Sequence, residues 1–323
     1  MLNILSHKTK QFFFVLIKTS IVICVFYFIY QKLFISGNLI FSDFSAFLIK
    51  NSVFSSKNII LLLFLTVFNW FFEILKWQNL VTFIKSISFF EAFKQTLAAH
   101  TVAILTPNRV GDYGAKALYH DKTYRKKIIL LNGLGNSAQL IITILLGSIG
   151  FILFNLKYRL PIFSNTVFIG ISLTFIFIIG LWGVLKIKNR FTKKVIKSLK
   201  QISLKIYLKT ILFSGIRYGI FSFQYYFILL LFGIEINYID AMIIVTTMYL
   251  ISSVIPTIFV FDALVKGSVA IYLFSVLTIS EIAILSTAML MWLLNFVLPT
   301  LIGSIFVLTF KPNLSPTNIE IQY

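Results

Sequence analysis

The sequence predicts an all-α polytopic membrane protein, with six full transmembrane helices plus two broken, re-entrant hairpins arranged as an inverted repeat. Three observations carry this reading. Of the 323 residues, 59% are hydrophobic and only 12% charged, and the mean hydropathy is +0.94, which rules out an ordinary soluble domain. The apolar residues gather in runs of about 20, the length a helix needs to cross a hydrocarbon core. Two proline-broken charged stretches, TPNRVGDYGAKALYH at 106–120 and a weaker copy at 256–267, lie between such runs. Charges there are not incidental, because each costs about 2.5–3.5 kcal/mol at the bilayer centre.

Taken in order, the first run, 11–30, follows Lys8 and Lys10 but is too long for a signal h-region. Bulky Tyr27, Phe28 and Tyr30 stand where cleavage needs small residues, so it reads as a retained helix. Further full spans are placed at 58–77, 128–154, 164–185, 210–232 and 282–310. The stretches 93–105 and 241–255 each run into a proline, Pro107 and Pro256, that removes a donor and disfavours helix before it. Residues 1–310 form a single transmembrane domain, and 311–323 a short polar tail.

The 29 Lys and Arg against 10 Asp and Glu lie between apolar spans, as positive-inside loops do, rather than in a basic domain for nucleic acid. Lysines and arginines at 122–127 and 186–209 mark cytoplasmic loops. Glu235 and Asp240, with no basic neighbour between 232 and 241, mark an outside one. Six full spans with both termini cytoplasmic fit this pattern if each broken stretch enters and leaves on the same side; eight crossings are the alternative. The hairpins would then dip in from opposite faces, with repeats at about 58–154 and 210–310. Ala92 precedes Pro107 by the interval that separates Ala241 from Pro256. The segment 186–209 interleaves lysines with Val195, Ile196, Leu199 and Ile202, the pattern of an amphipathic helix on an anionic leaflet or of a plain topology-setting loop.

Non-helical backbone at membrane depth requires surrounding protein or a water-filled cavity, so Pro107, Gly111, Gly114 and Pro256 predict a cavity. Arg109 offers a planar fork of donors to a phosphate or carboxylate, and Lys116 a point charge. Asp112 and Lys116 stand four apart and share a helix face, as do Asp262 and Lys266; a mutually neutralising ion network is the structural alternative. Polar stripes point inward at helical spacing: Thr66, Asn69, Glu73 and Lys76; Asn132, Asn136, Gln139 and Thr143; Ser214, Arg217 and Gln224. Asn295 is the lone amide of the last span. Interhelical polar contacts are the alternative for the amides; a cavity is favoured for Glu73 and Arg217. His100 and His120 match no metal spacing, a lone Cys24 makes no disulfide framework, and no phosphate-binding loop is present. The expectation is therefore no metal and no cofactor.

The motif TPNRVGDYGAKALYH resembles the P-x-R-x-G-E signature of the flippase-like membrane region of lysylphosphatidylglycerol synthases, the multiple peptide resistance factors, and of their stand-alone bacterial and archaeal relatives. Pro107, Arg109, Gly111 and Asp112 are the matching positions, Asp112 standing for the commoner glutamate. The second motif departs further, with Thr257 to Phe261 intervening before Asp262. The synthases carry a soluble aminoacyl-transfer domain after this region, so a stand-alone member without it is expected not to aminoacylate lipid. The resemblance implies a bacterial cytoplasmic (inner) membrane protein that moves an anionic phospholipid or polyprenyl-linked headgroup between leaflets. Arg109, Asp112, Lys116, Arg217, Asp262 and Lys266 are the expected headgroup residues. Pro107, Gly111, Gly114, Glu73, Asn132, Asn136, Gln139 and Pro256 are expected to support the cavity. The other readings are a membrane enzyme transferring a group from a lipid-linked donor and a non-transporting partner of a lipid-modifying enzyme.

Overall fold

The computed structural model describes residues 55–104, 106, 109–158, 190–254, 259–277 and 279–311, with isolated positions nearer the N terminus. Every element among them is helical: α1 (Ser56–Val81), α2 (Phe89–Ile104), α3 (Val110–Leu118), α4 (Arg125–Tyr158), α5 (Arg190–Lys200), α6 (Leu204–Leu231), α7 (Tyr238–Val254), α8 (Phe259–Phe274) and α9 (Glu281–Thr309). The expected spans at 11–30 and 164–185, Pro107, Pro256 and the tail from 312 lie outside the described residues.

Three described helices, α1, α4 and α9, are long and apolar enough to cross a membrane. Their amphipathicity is reversed from that of a soluble bundle. On α1 the buried stripe includes Thr66, Asn69, Glu73 and Lys76 at helical spacing, while Ile60, Phe64 and Val67 are exposed. Leu145, Ile149 and Leu156 on α4, and Ile302, Ile305 and Leu308 on α9, are likewise exposed. Continuous apolar outer faces of this extent suit lipid rather than water: this is the construction of a helical membrane protein.

Local sequence sets the helix starts. Ser88 and Glu91 form a capping box at the start of α2, the Ser88 N–H donating to Glu91 Oε2 at 2.9 Å and the Glu91 N–H to Ser88 Oγ at 3.1 Å, which satisfies two otherwise orphaned donors. At α7, Asn237 Oδ1 accepts the Ile239 N–H at 2.9 Å. Over 186–209, where an amphipathic helix or a plain topology-setting loop was expected, the described part from 190 forms helix α5 and then breaks, and Lys205 and Lys209 belong to α6. Ile202 explains the break: it buries its side chain with Trp77 and Ile128, and Ser203 then takes the N-cap position of α6.

The helix contacts are reproduced when α1 is exchanged with α6, α2 with α7, α3 with α8 and α4 with α9. Thus α2 packs on α9 as α7 packs on α4, and α1 packs on α6 across the centre. On α2 and α7 the interval holds residue by residue. A Cβ on Gly303 of α9 would strike the Leu97 carbonyl and Thr101 of α2, and one on Gly147 of α4 would strike the Thr246 carbonyl and Leu250 of α7. Leu97 and Thr246 differ by 149 positions, as do Thr101 and Leu250, Ser88 and Asn237, and Ala92 and Ala241. Both helix pairs are therefore in backbone contact at a glycine, and small residues are what permits so close an approach.

The first break is a hairpin. Gly111, the second residue of α3, lies so close to α2 that a Cβ would stand 2.9 Å from the Val102 carbonyl, and His120, beyond the end of α3, returns to Gln95 in the middle of α2 at 3.1 Å. His120 sits in the turn leading to α4, where burial pushes its imidazole below the ordinary histidine range. Thr106 joins the two helices: its hydroxyl donates to the Ala103 carbonyl at 2.9 Å and accepts the Gly111 N–H at 2.8 Å. The Ala103 carbonyl and the Gly111 N–H beside the break are thus satisfied inside the protein.

Substitution at two glycines separates packing from motif. Gly303→Ala should lower the stability of the detergent-purified chain by about 1–3 kcal/mol through overpacking. Gly114→Ala, with nothing within 4 Å of the added Cβ, should raise it by about 0.5–1 kcal/mol. Thermal unfolding measures both, and an unchanged midpoint for Gly303→Ala would contradict the close α2–α9 contact.

Candidate functional site: a cationic cavity between the helices

A cavity of about 640 Å³ opens between the two halves, lined from α1, α2, α3, α4, α6, α7, α8 and α9. Of the residues expected at the site, it brings together Arg109, Asp112, Lys116, Arg217 and Lys266 with Glu73, Asn136 and Gln139. Asn132 lies behind the wall, Gly111 serves the hairpin contact, and Gly114 touches nothing through a side chain. Asp262 is on α8 four residues before Lys266; its side chain, like Pro107 and Pro256, is outside the described residues.

The lining is built from three charged groupings. On α3, Lys116 Nζ lies 3.3 Å from Asp112 Oδ1. Asn132 of α4 closes this pair into a ring, accepting from Lys116 at 2.8 Å and donating to Asp112 Oδ2 at 2.7 Å. The sequence expectation placed Asn132 at the cavity. Its amide is instead spent holding the pair, and the residue is 2% exposed. Lys116 also sits over the Trp77 ring, 4.5 Å from its centroid.

The second grouping is Glu73 Oε2, which receives Lys76 Nζ at 2.7 Å and Arg217 Nη1 at 2.8 Å. One carboxylate thus faces two cations from α1 and α6, and Arg217 further approaches the face of Trp70.

Arg109 organises the third. It holds φ +59°, a left-handed conformation that costs a non-glycine residue about 1–3 kcal/mol. That geometry turns the chain into α3 and sets Arg109 Nη2 to donate to His100 Nδ1 at 3.0 Å. A guanidinium has only donors, so Nδ1 must be the unprotonated nitrogen; Nε2 carries the hydrogen and donates to the Phe296 carbonyl at 3.3 Å. Phe296 lies in a π-helical turn, Leu293–Val297, which displaces carbonyls from the regular ladder. Lys266 Nζ stands 5.3 Å from the Phe296 ring centroid.

A neutral chain of amides crosses beside these groups. Asn69 donates to Asn295 Oδ1 at 2.8 Å, Asn295 to Gln224 Oε1 at 2.8 Å, and Gln224 to Thr66 Oγ1 at 2.9 Å. These side chains tie α1, α9 and α6 together, as the contact alternative anticipated, although Asn69 and Asn295 also reach the cavity wall. Sequence reasoning missed His100, Trp70, Tyr113, Tyr218 and Tyr249 as lining residues. Tyr113 had a usable signal, lying inside the charged motif; the others are single aromatic positions in apolar runs.

Among described residues the wall carries Arg109, Lys116, Arg217 and Lys266 against Glu73 and Asp112, four cations to two carboxylates, a surplus of two. Arg109 is exposed and Arg217 and Lys266 are half-buried, so these lining cations are open to water or an anion in the cavity. No group of three or more His, Cys, Asp or Glu that could hold a metal occurs among the described residues.

Glu73→Gln should destabilise the protein by about 3–5 kcal/mol, because it leaves Arg217 and Lys76 facing each other without a counter-charge. Adding Arg217→Gln should recover part of that loss, a non-additivity of about 1 kcal/mol or more. Unfolding of the single and double variants in detergent measures it; strictly additive losses would show that the pair is uncoupled.

Compared with protein-family models, with curated protein sequences and with solved structures, the chain has no match.

Proposed function

We propose that this protein is a flippase-like lipid transporter that carries an anionic phospholipid or polyprenyl-linked headgroup between leaflets through the cavity. One observation carries the reading: a chamber of about 640 Å³ with a cationic surplus inside helices whose outer faces are apolar. A phosphate cannot pass through hydrocarbon unless paired groups replace its water, and the wall supplies those groups. The resemblance of 106–120 to the lysylphosphatidylglycerol synthase membrane region points the same way.

In this reading six helices span a bacterial inner membrane with both termini cytoplasmic, and the two hairpins enter from opposite faces. Arg109, Lys116, Arg217 and Lys266 meet the headgroup, and Asp112 and Asp262 balance charge. The interval of 149 positions between equivalent contacts supports a two-repeat design, and one repeat rocking against the other would alternate access. Six crossings are favoured over eight by the hairpin of α2 and α3, whose far end returns to Gln95.

Arg109→Ala and Asp112→Ala should insert normally and lose translocation of an acyl-labelled phosphatidylglycerol in reconstituted vesicles, by about tenfold or more for the loss of a charge-assisted contact. Wild-type rates in both variants would defeat the assignment. Single cysteines at 110 and 260 should label from opposite faces of the membrane in oriented vesicles; labelling of both from one side would remove the inverted arrangement.

A further inference from the structure

The cavity wall has two chemically different sectors. Arg109, Lys116 and Arg217, with their carboxylate partners, form a charged one. The other is neutral and rich in hydroxyl and amide groups: Tyr113, Asn136, Gln139, Thr143, Tyr218 and Ser252, from α3, α4, α6 and α7.

Several of the neutral groups are not satisfied by the protein. The Tyr218 hydroxyl, Gln139 Oε1 and Ser252 Oγ are buried without a hydrogen-bond partner, and Tyr218 is only 6% exposed. Asn136 donates to the Tyr113 hydroxyl at 3.1 Å, which leaves that hydroxyl its own proton to give. Buried polar groups are normally paired, so an assembly of partnerless ones beside a cavity asks for a ligand with several donors and acceptors of its own. A bare phosphate would reach the cations and leave this sector unmet. The volume also exceeds what a phosphate group needs and falls in the range of roughly 300–1,000 Å³ typical of pockets for small organic ligands.

The carboxylates decide against an amine-bearing headgroup. Glu73 is held by Lys76 and Arg217, and Asp112 by Lys116 and Asn132. Of the aromatic residues on the wall, Trp70 faces Arg217 and Phe296 faces Lys266. Among the described residues, an ethanolamine or lysyl group would meet cations and no open carboxylate.

We propose that the ligand is a phosphate joined to a neutral polyhydroxyl unit, a sugar phosphate, with the phosphate on the cationic sector and the hydroxyls on Tyr113, Asn136, Gln139 and Tyr218. This rests on the reading of the cavity as a headgroup site, and the same chemistry is offered by a glycosyl-phosphate lipid and by a free sugar phosphate.

Binding of three soluble probes to the full chain in mild detergent tests the inference: glucose 1-phosphate, inorganic phosphate and phosphoethanolamine. Glucose 1-phosphate should bind at least about tenfold more tightly than either of the others, the difference expected from one or two additional buried hydrogen bonds. Combining Tyr218→Phe with Gln139→Leu should bring the ratio of glucose 1-phosphate to phosphate affinity close to one, whereas Arg109→Ala should weaken both and preserve the ratio. Equal wild-type affinity for phosphate and glucose 1-phosphate, a preference for phosphoethanolamine, or no binding of any probe would overturn the proposal.

A vesicle assay then distinguishes the sources and the two readings. Translocation of an acyl-labelled glycosyl-phosphate lipid ahead of labelled phosphatidate assigns the chemistry to a lipid headgroup. Tight glucose 1-phosphate binding without lipid movement keeps the sugar-phosphate site and sinks the transport reading. Movement of phosphatidate with no sugar-phosphate preference sinks the site assignment and keeps transport.

Discussion

Charge placed inside a bundle whose outside is apolar has to be compensated by the bundle itself, and most of the described architecture follows from that constraint. A soluble protein can leave an awkward cation to water. Here Ile60, Phe64 and Val67 cover the outer side of the same helix that carries Glu73 and Lys76 inward, so the carboxylate takes one partner from its own helix, Lys76, and the other across the interface on α6. The Glu73 to Arg217 contact at 2.8 Å therefore fixes how α1 and α6 meet. The same logic gives Asn132 its position: a pair as close as Asp112 and Lys116 still leaves lone pairs and protons to satisfy, and one amide donates to one partner and accepts from the other. Glu73, Lys76, Asp112 and Lys116 are buried, while Arg109 on the cavity wall is exposed, which is why the cavity and the ion pairs belong to one account.

Backbone obeys the same rule. Breaking a helix between α2 and α3 frees donors and acceptors that lipid cannot satisfy, and the Thr106 hydroxyl takes one of each. Gly111 allows the hairpin to close because any side chain there would strike the Val102 carbonyl. Arg109 accepts a left-handed conformation at the entry to α3, and what holds it there is the hydrogen bond to His100. The break is thus strained, capped and charged at a single point, the pattern expected where strain is retained for a purpose.

Much of this was legible in the residues. Thr66, Asn69, Glu73 and Lys76 share a face by spacing alone, and they share a buried face in the structure. The interval between Ala92 and Ala241 was visible, and it also relates Leu97 and Thr101 of α2, which Gly303 meets, to Thr246 and Leu250 of α7, which Gly147 meets. Other signals were present in the chain but carried less weight than hydropathy. Ser88 with Glu91 has the S-x-x-E spacing of a capping box, and it starts α2 four residues before the apolar run begins. What spacing could not show is which inward polar group meets the cavity and which meets another helix. Asn132 and Asn136 lie one turn apart on one face, yet one is consumed by Asp112 and Lys116 and the other lines the chamber. That choice depends on where α3 crosses α4, a tertiary fact with no periodicity to announce it. The lysines at 205 and 209 fell on the other side of a boundary that follows Ile202, which is buried in a cluster with Trp77 and Ile128 from distant helices.

His100 shows how the halves of the molecule are joined at the site. Its position on α2 says nothing of its role, because an imidazole in an apolar run has two tautomers and no fixed partner. The π-helical turn in α9 resolves this. By carrying an additional residue in that turn, Leu293–Val297 presents the Phe296 carbonyl to His100 Nε2 and the Asn295 carbonyl to Trp70 at 3.2 Å. Once Nε2 is the donor, Nδ1 is an acceptor and needs a donor, and a group with donors only fixes that role. Arg109 is such a group. The strained residue of the first hairpin is therefore positioned by a carbonyl from the second half, while the ring of the same Phe296 lies beneath Lys266. A shift of α9 relative to α2 would move the acceptor of His100, the support of Arg109 and the aromatic partner of Lys266 together, so two cations from opposite halves depend on one turn of one helix.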